Sequence, residues 1–209
     1  MKGLFITIEG PDGAGKSTQI KLLEKYLNEL GYRIVITREP GGTKISEDIR
    51  DIILDNENVE MSYETEALLY AASRAQHVHE RILPALKEGK IVICDRFIHS
   101  SLVYQGVARG LGIKEVRDIN EFAIKGVKPD VTLFFDIPPE KALKRKIASD
   151  KADRLENEDI SFHKKVYKAY LELKKLYPTE IEMIDATKSI EEISKEIERV
   201  IKKVIKGRS

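Results

Sequence analysis

The chain has 209 residues, 42% of them hydrophobic and 34% charged, with 13 glycines and 7 prolines. That composition belongs to a folded globular protein and excludes collagen-like, low-complexity and disordered classes. Lys and Arg number 36 against 35 Asp and Glu, a formal net charge of +1, so no global basic field draws it to nucleic acid or to a membrane surface.

The first apolar run, Leu4–Ile8, is short and rich in Ile and Phe, which predicts a buried strand. It leads into Gly10-Pro11-Asp12-Gly13-Ala14-Gly15-Lys16-Ser17, a full match to the phosphate-binding P-loop pattern, followed by a helix. The glycines let successive backbone N–H groups turn inward, and the helix N-terminus adds positive potential. Lys16 is placed to reach the β- and γ-phosphates, and the Ser17 hydroxyl to ligate Mg2+. Gly10 through Thr18 are therefore the nucleoside triphosphate-binding candidates. The helix behind them carries an apolar stripe at Ile20, Leu23, Leu27 and Leu30, and Gly31 is a predicted C-terminal cap.

The second run, Ile34–Thr37, ends in Arg38-Glu39-Pro40-Gly41-Gly42-Thr43. A guanidinium at the carboxyl end of a strand suits an acceptor phosphate; a surface pair between Arg38 and Glu39 is the alternative. Helical period then runs over Glu64–Glu88, with Pro84 predicted to end or kink it. Tyr70 and Arg74 lie four apart on that helix and share a face: a ring that can stack on a base beside a cation that can reach a base carbonyl, unless Tyr70 is plain core.

The third run, Ile91–Cys94, is followed by Asp95-Arg96. Asp95 can hold the magnesium shell. Arg96 stands where a water-activating glutamate would stand in a mechanochemical ATPase, which points to a second phosphate-bearing substrate as acceptor. No Asn-Lys pair occurs, so the usual guanine reader of GTPases is missing. Phe97, Ser100, Ser101, Tyr104 and Gln105 follow, with hydroxyl, ring and amide groups for a sugar and base. The fourth run is Val131–Phe135, the fifth Ile181–Ile184, and Ser189 with Glu192 forms a capping box opening a helix with Ile190, Ile193, Ile197, Val200, Ile201 and Val204 on one face.

Strands alternating with helices predict an α/β, three-layer P-loop NTPase fold, with a five-stranded parallel sheet, helices on both faces and a lid loop. No linker or repeat divides the chain, so one domain over residues 1–209 is expected. No apolar run approaches the roughly 18 residues that cross a bilayer. One cysteine, Cys94, cannot form an internal bridge, and no secretory leader is visible; a cytoplasmic protein with no membrane partner is expected. His77 and His79 point to different faces and His99 and His163 lie elsewhere, so the histidines offer no metal-binding set.

Together these residues resemble the thymidylate kinase family, over Glu9–Thr18, Arg38–Thr43, Leu68–Gln76, Asp95–Gly106, Lys128–Phe135 and Asp153–Tyr170. The P-loop alone implies only a nucleoside triphosphate. Arg38-Glu39-Pro40-Gly41-Gly42-Thr43 combined with Asp95-Arg96-Phe97, Ser100 and Tyr104-Gln105 is far more specific. The resemblance implies phosphoryl transfer from ATP with Mg2+ to dTMP, giving dTDP for dTTP synthesis, by a cytoplasmic homodimer. It implies that Asp12 accepts a hydrogen bond from the dTMP 3′-hydroxyl, and that Arg38 and Arg96 lie near the acceptor phosphate and the transferred group. Tyr70 then stacks on thymine, Arg74 lies near its carbonyl, and Tyr104 and Gln105 contact sugar and base.

In this family Gly13 in the P-loop goes with a transition-state cation supplied by a lid. The candidate lid spans about 144–156, from Lys144-Arg145-Lys146 to Asp153-Arg154-Leu155-Glu156, with Arg145 or Arg154 as the cation and Lys151 a weaker stand-in. A kinase for another nucleoside monophosphate or a deoxynucleoside, and a nucleotide-dependent regulatory protein without transfer activity, are the alternatives.

Overall fold

The computed structural model describes residues 3–145 and 153–208. Leu4–Glu9 (β1), Ile34–Arg38 (β2), Ile91–Asp95 (β3), Val131–Asp136 (β4) and Ile181–Asp185 (β5) form one sheet, ordered β2-β3-β1-β4-β5. All four pairings are parallel. Each strand continues one residue beyond its apolar run, to Glu9, Arg38, Asp95, Asp136 or Asp185. Ladder hydrogen bonds involve the backbone and continue where apolar side chains stop. The sheet's carboxyl edge is therefore lined by charge.

The helices are α1 (Lys16–Glu29), α2 (Lys44–Leu54), α3 (Tyr63–His77), α4 (Leu83–Lys87), α5 (Ile98–Ser101), α6 (Ile113–Ile124), α7 (Pro139–Arg145), α8 (Ile160–Leu176) and α9 (Ile190–Lys206). Strand residues alternate between two buried clusters, as a sheet covered on both faces requires. Leu4, Ile6, Ile8, Ile91, Ile93, Leu133 and Phe135 join Leu23 and Leu27 of α1 and Ile193, Ile197 and Ile201 of α9. Phe5, Val92, Cys94 and Phe134 join residues of α6, α8 and the segment after α3. No helix among the described residues is long and apolar enough to cross a membrane.

The predicted caps form. Gly31 has φ +81, its N–H bonds to Asn28 O, and Tyr32 N bonds to Leu27 O, a Schellman closure. Ser189 and Glu192 bond reciprocally. Leu30 and Ile190 depart from the predicted stripes. Each sits at the end of its helix and is exposed.

The long helical stretch also departs from expectation. Pro84 neither ends the helix nor is met by a simple kink: Val78–Ile82 widens to π-helical winding, Leu83 N bonds to Val78 O, and α-helix resumes at Leu83. A proline has no N–H to give, and its ring crowds the carbonyl four residues back; the wider turn ahead of it accommodates both. A second π-helical segment, Leu102–Ala108, follows α5.

Candidate active site

Sheet register sets the site. Asp95 pairs with Ile8 on one side and Arg38 on the other, so the ends of three strands converge above the β1–α1 turn. Gly10 in that turn has φ +141, and a Cβ there would lie 2.9 Å from Phe135 Cβ; only glycine fits. A Ser, Thr or Asp side chain caps each of α2, α3, α8 and α9. In contrast, α1 starts after Gly15 with no side-chain cap and no carboxylate in its first turn. Its first N–H groups and positive end are left for a ligand, as phosphate binding needs.

Lys16 is buried, and its ammonium donates to the carbonyls of Gly10 and Pro11 (3.0 Å each) and to Asp12 Oδ1 (3.3 Å). The Arg96 guanidinium also meets Asp12, Nη2 to Oδ1 at 2.9 Å. Burial pushes the Asp12 carboxyl up, but Arg96 and Lys16 outweigh it and hold the group well below the usual carboxylate range. Ser17 is exposed at the start of α1. Asp95 Oδ1 is buried without a hydrogen-bond partner. Such an orphan acceptor costs ~1–3 kcal/mol unless a ligand satisfies it. One hydroxyl and one carboxylate oxygen fit Mg2+, which takes few protein ligands and keeps waters and phosphate oxygens.

The segment just after Arg96 is held by a residue that the sequence did not single out. Glu9 ends β1 fully buried. Its Oε1 accepts from the backbone N–H of Phe97 (2.9 Å) and Ser100 (3.2 Å), and its Oε2 from the hydroxyls of Ser100 (2.5 Å) and Tyr170 (2.7 Å). Burial pushes the Glu9 carboxyl above its ordinary value, against the pull of Arg96 and these bonds. Arg96 itself sits at φ +68, with its N–H on Ile8 O (2.8 Å) and its guanidinium 5.3 Å from the Tyr104 ring centroid. Burial pushes the Tyr104 phenol up to about 12 despite Arg96.

One cavity takes in Asp12, Arg38, Tyr70, Arg74, Asp95, Arg96, Ser100, Ser101, Tyr104 and Gln105, so nine of the ten predicted substrate-side residues meet there. Phe97 is the exception. Its ring is wholly buried, packed edge-on against Phe5 at 5.0 Å and beneath the Arg74 guanidinium at 5.3 Å. It supports the site from the core. Burial raises the Tyr70 phenol above its ordinary range.

Arg74 is buried, with Nε on Glu39 Oε2 (2.7 Å) and Nη1 on Ser101 Oγ (3.0 Å) and on Asn120 Oδ1. Glu39 also meets His77 Nδ1 at 2.9 Å. The alternative Arg38–Glu39 pair is thus not formed: Arg38 donates to Glu47 Oε2 and Pro40 O, each at 2.9 Å. Successive strand-end residues point to opposite sides, which sends Glu39 inward and Arg38 out. One group of possible metal ligands escaped the sequence reading: Glu39, His77 and Cys94 bring ligand atoms within 4.8 Å. All three are already hydrogen-bonded, His77 Nε2 to Thr37 and Cys94 Sγ to Arg96 O.

The cavity is completed by Arg50, Asp153, Leu155, Glu156 and His163, among others. Arg50, which donates to Pro40 O at 2.9 Å, had no sequence signal beyond its place on an amphipathic helix. Asp153 and Glu156 form a small capping box: Asp153 Oδ1 accepts from Glu156 N (2.9 Å), and Asp153 N donates to Glu156 Oε2 (3.2 Å). Neither candidate lid arginine lines the cavity. Arg145 is exposed at the end of α7 and donates to Ala186 O at 2.7 Å. Arg154 donates to Glu66 Oε2 (2.7 Å) and Ile53 O (2.9 Å). Lys151 and Lys146 lie outside the described residues.

A model of the thymidylate kinase family matches residues 8–197 of the chain. The chain is 59% identical over 200 residues to the thymidylate kinase of Finegoldia magna, covering 96% of this chain and 98% of that one. It is 54% identical over 205 residues to the thymidylate kinase of Thermoanaerobacter sp. (strain X514), covering 98% and 100%. A crystal structure of thymidylate kinase from Ehrlichia chaffeensis matches with a TM-score of 0.79 at 32% identity, covering 97% of this chain and 99% of that one.

Proposed function

The chain belongs to the thymidylate kinase family, and on that premise we propose that it transfers the γ-phosphoryl group of ATP to dTMP, giving ADP and dTDP for dTTP synthesis. The observation that carries this reading is the meeting of an uncapped P-loop helix with a cavity that holds four guanidinium groups and two tyrosine rings. The triphosphate lies along Gly10–Thr18, with the Lys16 ammonium reaching its β- and γ-oxygens. Ser17 and Asp95 would hold Mg2+, which supplies charge neutralisation on the transferring phosphates.

On the acceptor side, Arg38 and Arg96 receive the phosphate of dTMP, Asp12 accepts from the 3′-hydroxyl, and Tyr104 stands against the sugar. Tyr70 stacks on thymine, with Arg74 and Gln105 at its polar edge. A phosphate monoester is already a dianion above its second pKa of about 6, so its oxygen attacks the γ-phosphorus in line without a strong general base. Catalysis is positioning plus charge neutralisation. Arg154 is paired with the buried Glu66 carboxylate, whereas exposed Arg145 is held only by the backbone carbonyl of Ala186, so of the two arginines Arg145 is the lid cation. Ser100, Ser101 and Phe97 serve by holding Arg96 and Arg74 in place.

We further propose a homodimer joined through α2, α3 and α6. Helix α2 packs on α3 and α3 on α6, and the three expose Ile45, Ile52, Leu68 and Phe122, the last at 86%; large apolar side chains left in water on adjoining helices would be covered by a second copy.

The test is dTMP-dependent release of ADP by native protein and by Lys16→Ala. The expected result is a loss of turnover of at least ~100-fold, as for removal of one main electrostatic contact in a transition state, with an unchanged melting temperature. Equal activity in the two proteins would overturn the assignment of Lys16. Native protein that turns over no dTMP would overturn the reading itself.

A further inference from the structure

Glu66 stands outside the cavity, yet it connects the residues that form it. It lies in α3 four positions before Tyr70 and is fully buried. Four donors converge on its two oxygens. Oε1 accepts from Gln105 Nε2 (2.8 Å) and Arg109 Nε (3.3 Å), and Oε2 from Arg154 Nη2 (2.7 Å) and Arg109 Nη2 (3.2 Å). A buried carboxylate requires that degree of satisfaction. The donors come from two stretches far apart in sequence: the π-helical segment with the residue just after it, and the C-terminal end of the candidate lid.

The chemistry of the acceptor fixes the sense of the Gln105 amide. A carboxylate can only accept, so the NH2 end must face Glu66, and the opposite sense would set two acceptors against each other. The carbonyl Oε1 of Gln105 is thereby turned away from Glu66, and Gln105 lines the cavity. An amide held this way offers a base edge an acceptor. It favours a ring that presents an N–H, as thymine and uracil do at N3, over one that presents a bare nitrogen there, as cytosine does.

Arg154 is fixed by the same carboxylate. Its Nε also donates to Ile53 O (2.9 Å) and its backbone N–H to Leu54 O (3.3 Å). Arg109 completes the tie, lying 4.7 Å from the ring centroids of both Tyr63 and Phe162 and pairing with Glu158 at 2.6 Å. The turn that carries Asp153 and Glu156 into the cavity is thus anchored to the carboxylate that orients the base-reading amide.

We infer that Glu66 is a positioning residue that sets the hydrogen-bonding sense of Gln105 and, through Arg154, ties the C-terminal root of the lid to base recognition. The inference rests on the thymidylate reading of the cavity and adds to it a determinant of base selectivity. It also gives Arg154 an anchoring duty in place of a transition-state one.

The test compares kcat/KM for dTMP and dCMP, with KM for ATP, in native enzyme, Glu66→Gln, Glu66→Asp and Arg154→Ala. Glutamine at 66 can donate as well as accept, so Gln105 loses its imposed sense. The dTMP-over-dCMP preference should fall at least tenfold, with KM for ATP within about twofold of native. Glu66→Asp keeps an acceptor-only group and should restore most of the preference. Arg154→Ala should raise KM for dTMP at least fivefold with a smaller change in kcat. This variant serves independently should Glu66→Gln fail to fold.

A folded Glu66→Gln variant that loses both acceptors in proportion would make Glu66 merely structural and overturn the inference. So would an Arg154→Ala variant that loses kcat a hundredfold with KM for dTMP unchanged. Native enzyme that does not use dTMP at all would instead remove the reading beneath it.

Discussion

Arg96 carries a side chain where backbone conformation favours none. At φ +68 a non-glycine residue meets a steric cost of roughly 1–2 kcal/mol, offset here by its N–H bond to Ile8 O and by the Glu9 carboxylate that pins Phe97 and Ser100 just beyond it. The strain is tolerated because it aims a guanidinium between Asp12 and Tyr104. Replacing Arg96 by glycine should therefore relieve strain that alanine retains. Arg96→Gly is expected to melt ~2–4 °C above Arg96→Ala, the shift of about 1 kcal/mol in a protein of this size, while both lose at least ~100-fold in turnover. A higher melting point for the alanine variant, the usual order in ordered backbone, would refute the strain. Asp95, Arg96, Phe97 and Ser100 were legible as one motif because each is an uncommon residue after an apolar strand. Phe97 packs into the core and does not line the cavity; adjacency in sequence does not tell which of two neighbouring side chains faces the cavity and which the core.

Among the elements, strands and capped helices were readable because their signals are local. An apolar run, a serine three residues ahead of a glutamate or a glycine after a stripe each bears on hydrogen bonds within a few residues. The two π-helical segments were not, since i to i−5 bonding leaves no mark in the apolar pattern. Leu102–Ala108 is the one that sets Tyr104 and Gln105 in the cavity. Glu66 was missed for a related reason. Beside Glu64 in the first turn of α3 it reads as ordinary N-terminal charge, and only the tertiary approach of Arg109 and Arg154 shows that it is buried. Helices α2, α3 and α6 bear the dimer proposal. Native protein should sediment at twice the chain mass, and Phe122→Glu or Leu68→Glu should shift it toward the single chain without lowering helix content. A native single chain at micromolar concentration would contradict it.

At the scale of the whole molecule, the order β2-β3-β1-β4-β5 does the assembling. It brings Arg38 beside Asp95 although 56 residues separate them in sequence and sets both above the P-loop of β1. Alternating strands and helices implied a parallel sheet with a site at its carboxyl edge. The strand order came from tertiary packing, on which the pattern is silent. The donor half of the site was therefore legible from one contiguous motif, and the acceptor half only once distant segments were recognised together.

Acceptor choice is decided by ADP release from ATP and Mg2+ with dTMP, dUMP, UMP, CMP, AMP, GMP and thymidine offered singly. Rapid release with dTMP, weaker release with dUMP and negligible release with the others are expected, thymidine included because it brings no phosphate to Arg38 and Arg96. Preference for another monophosphate, or release indifferent to the acceptor from protein that binds ATP, would rule out dTMP as the acceptor this cavity selects.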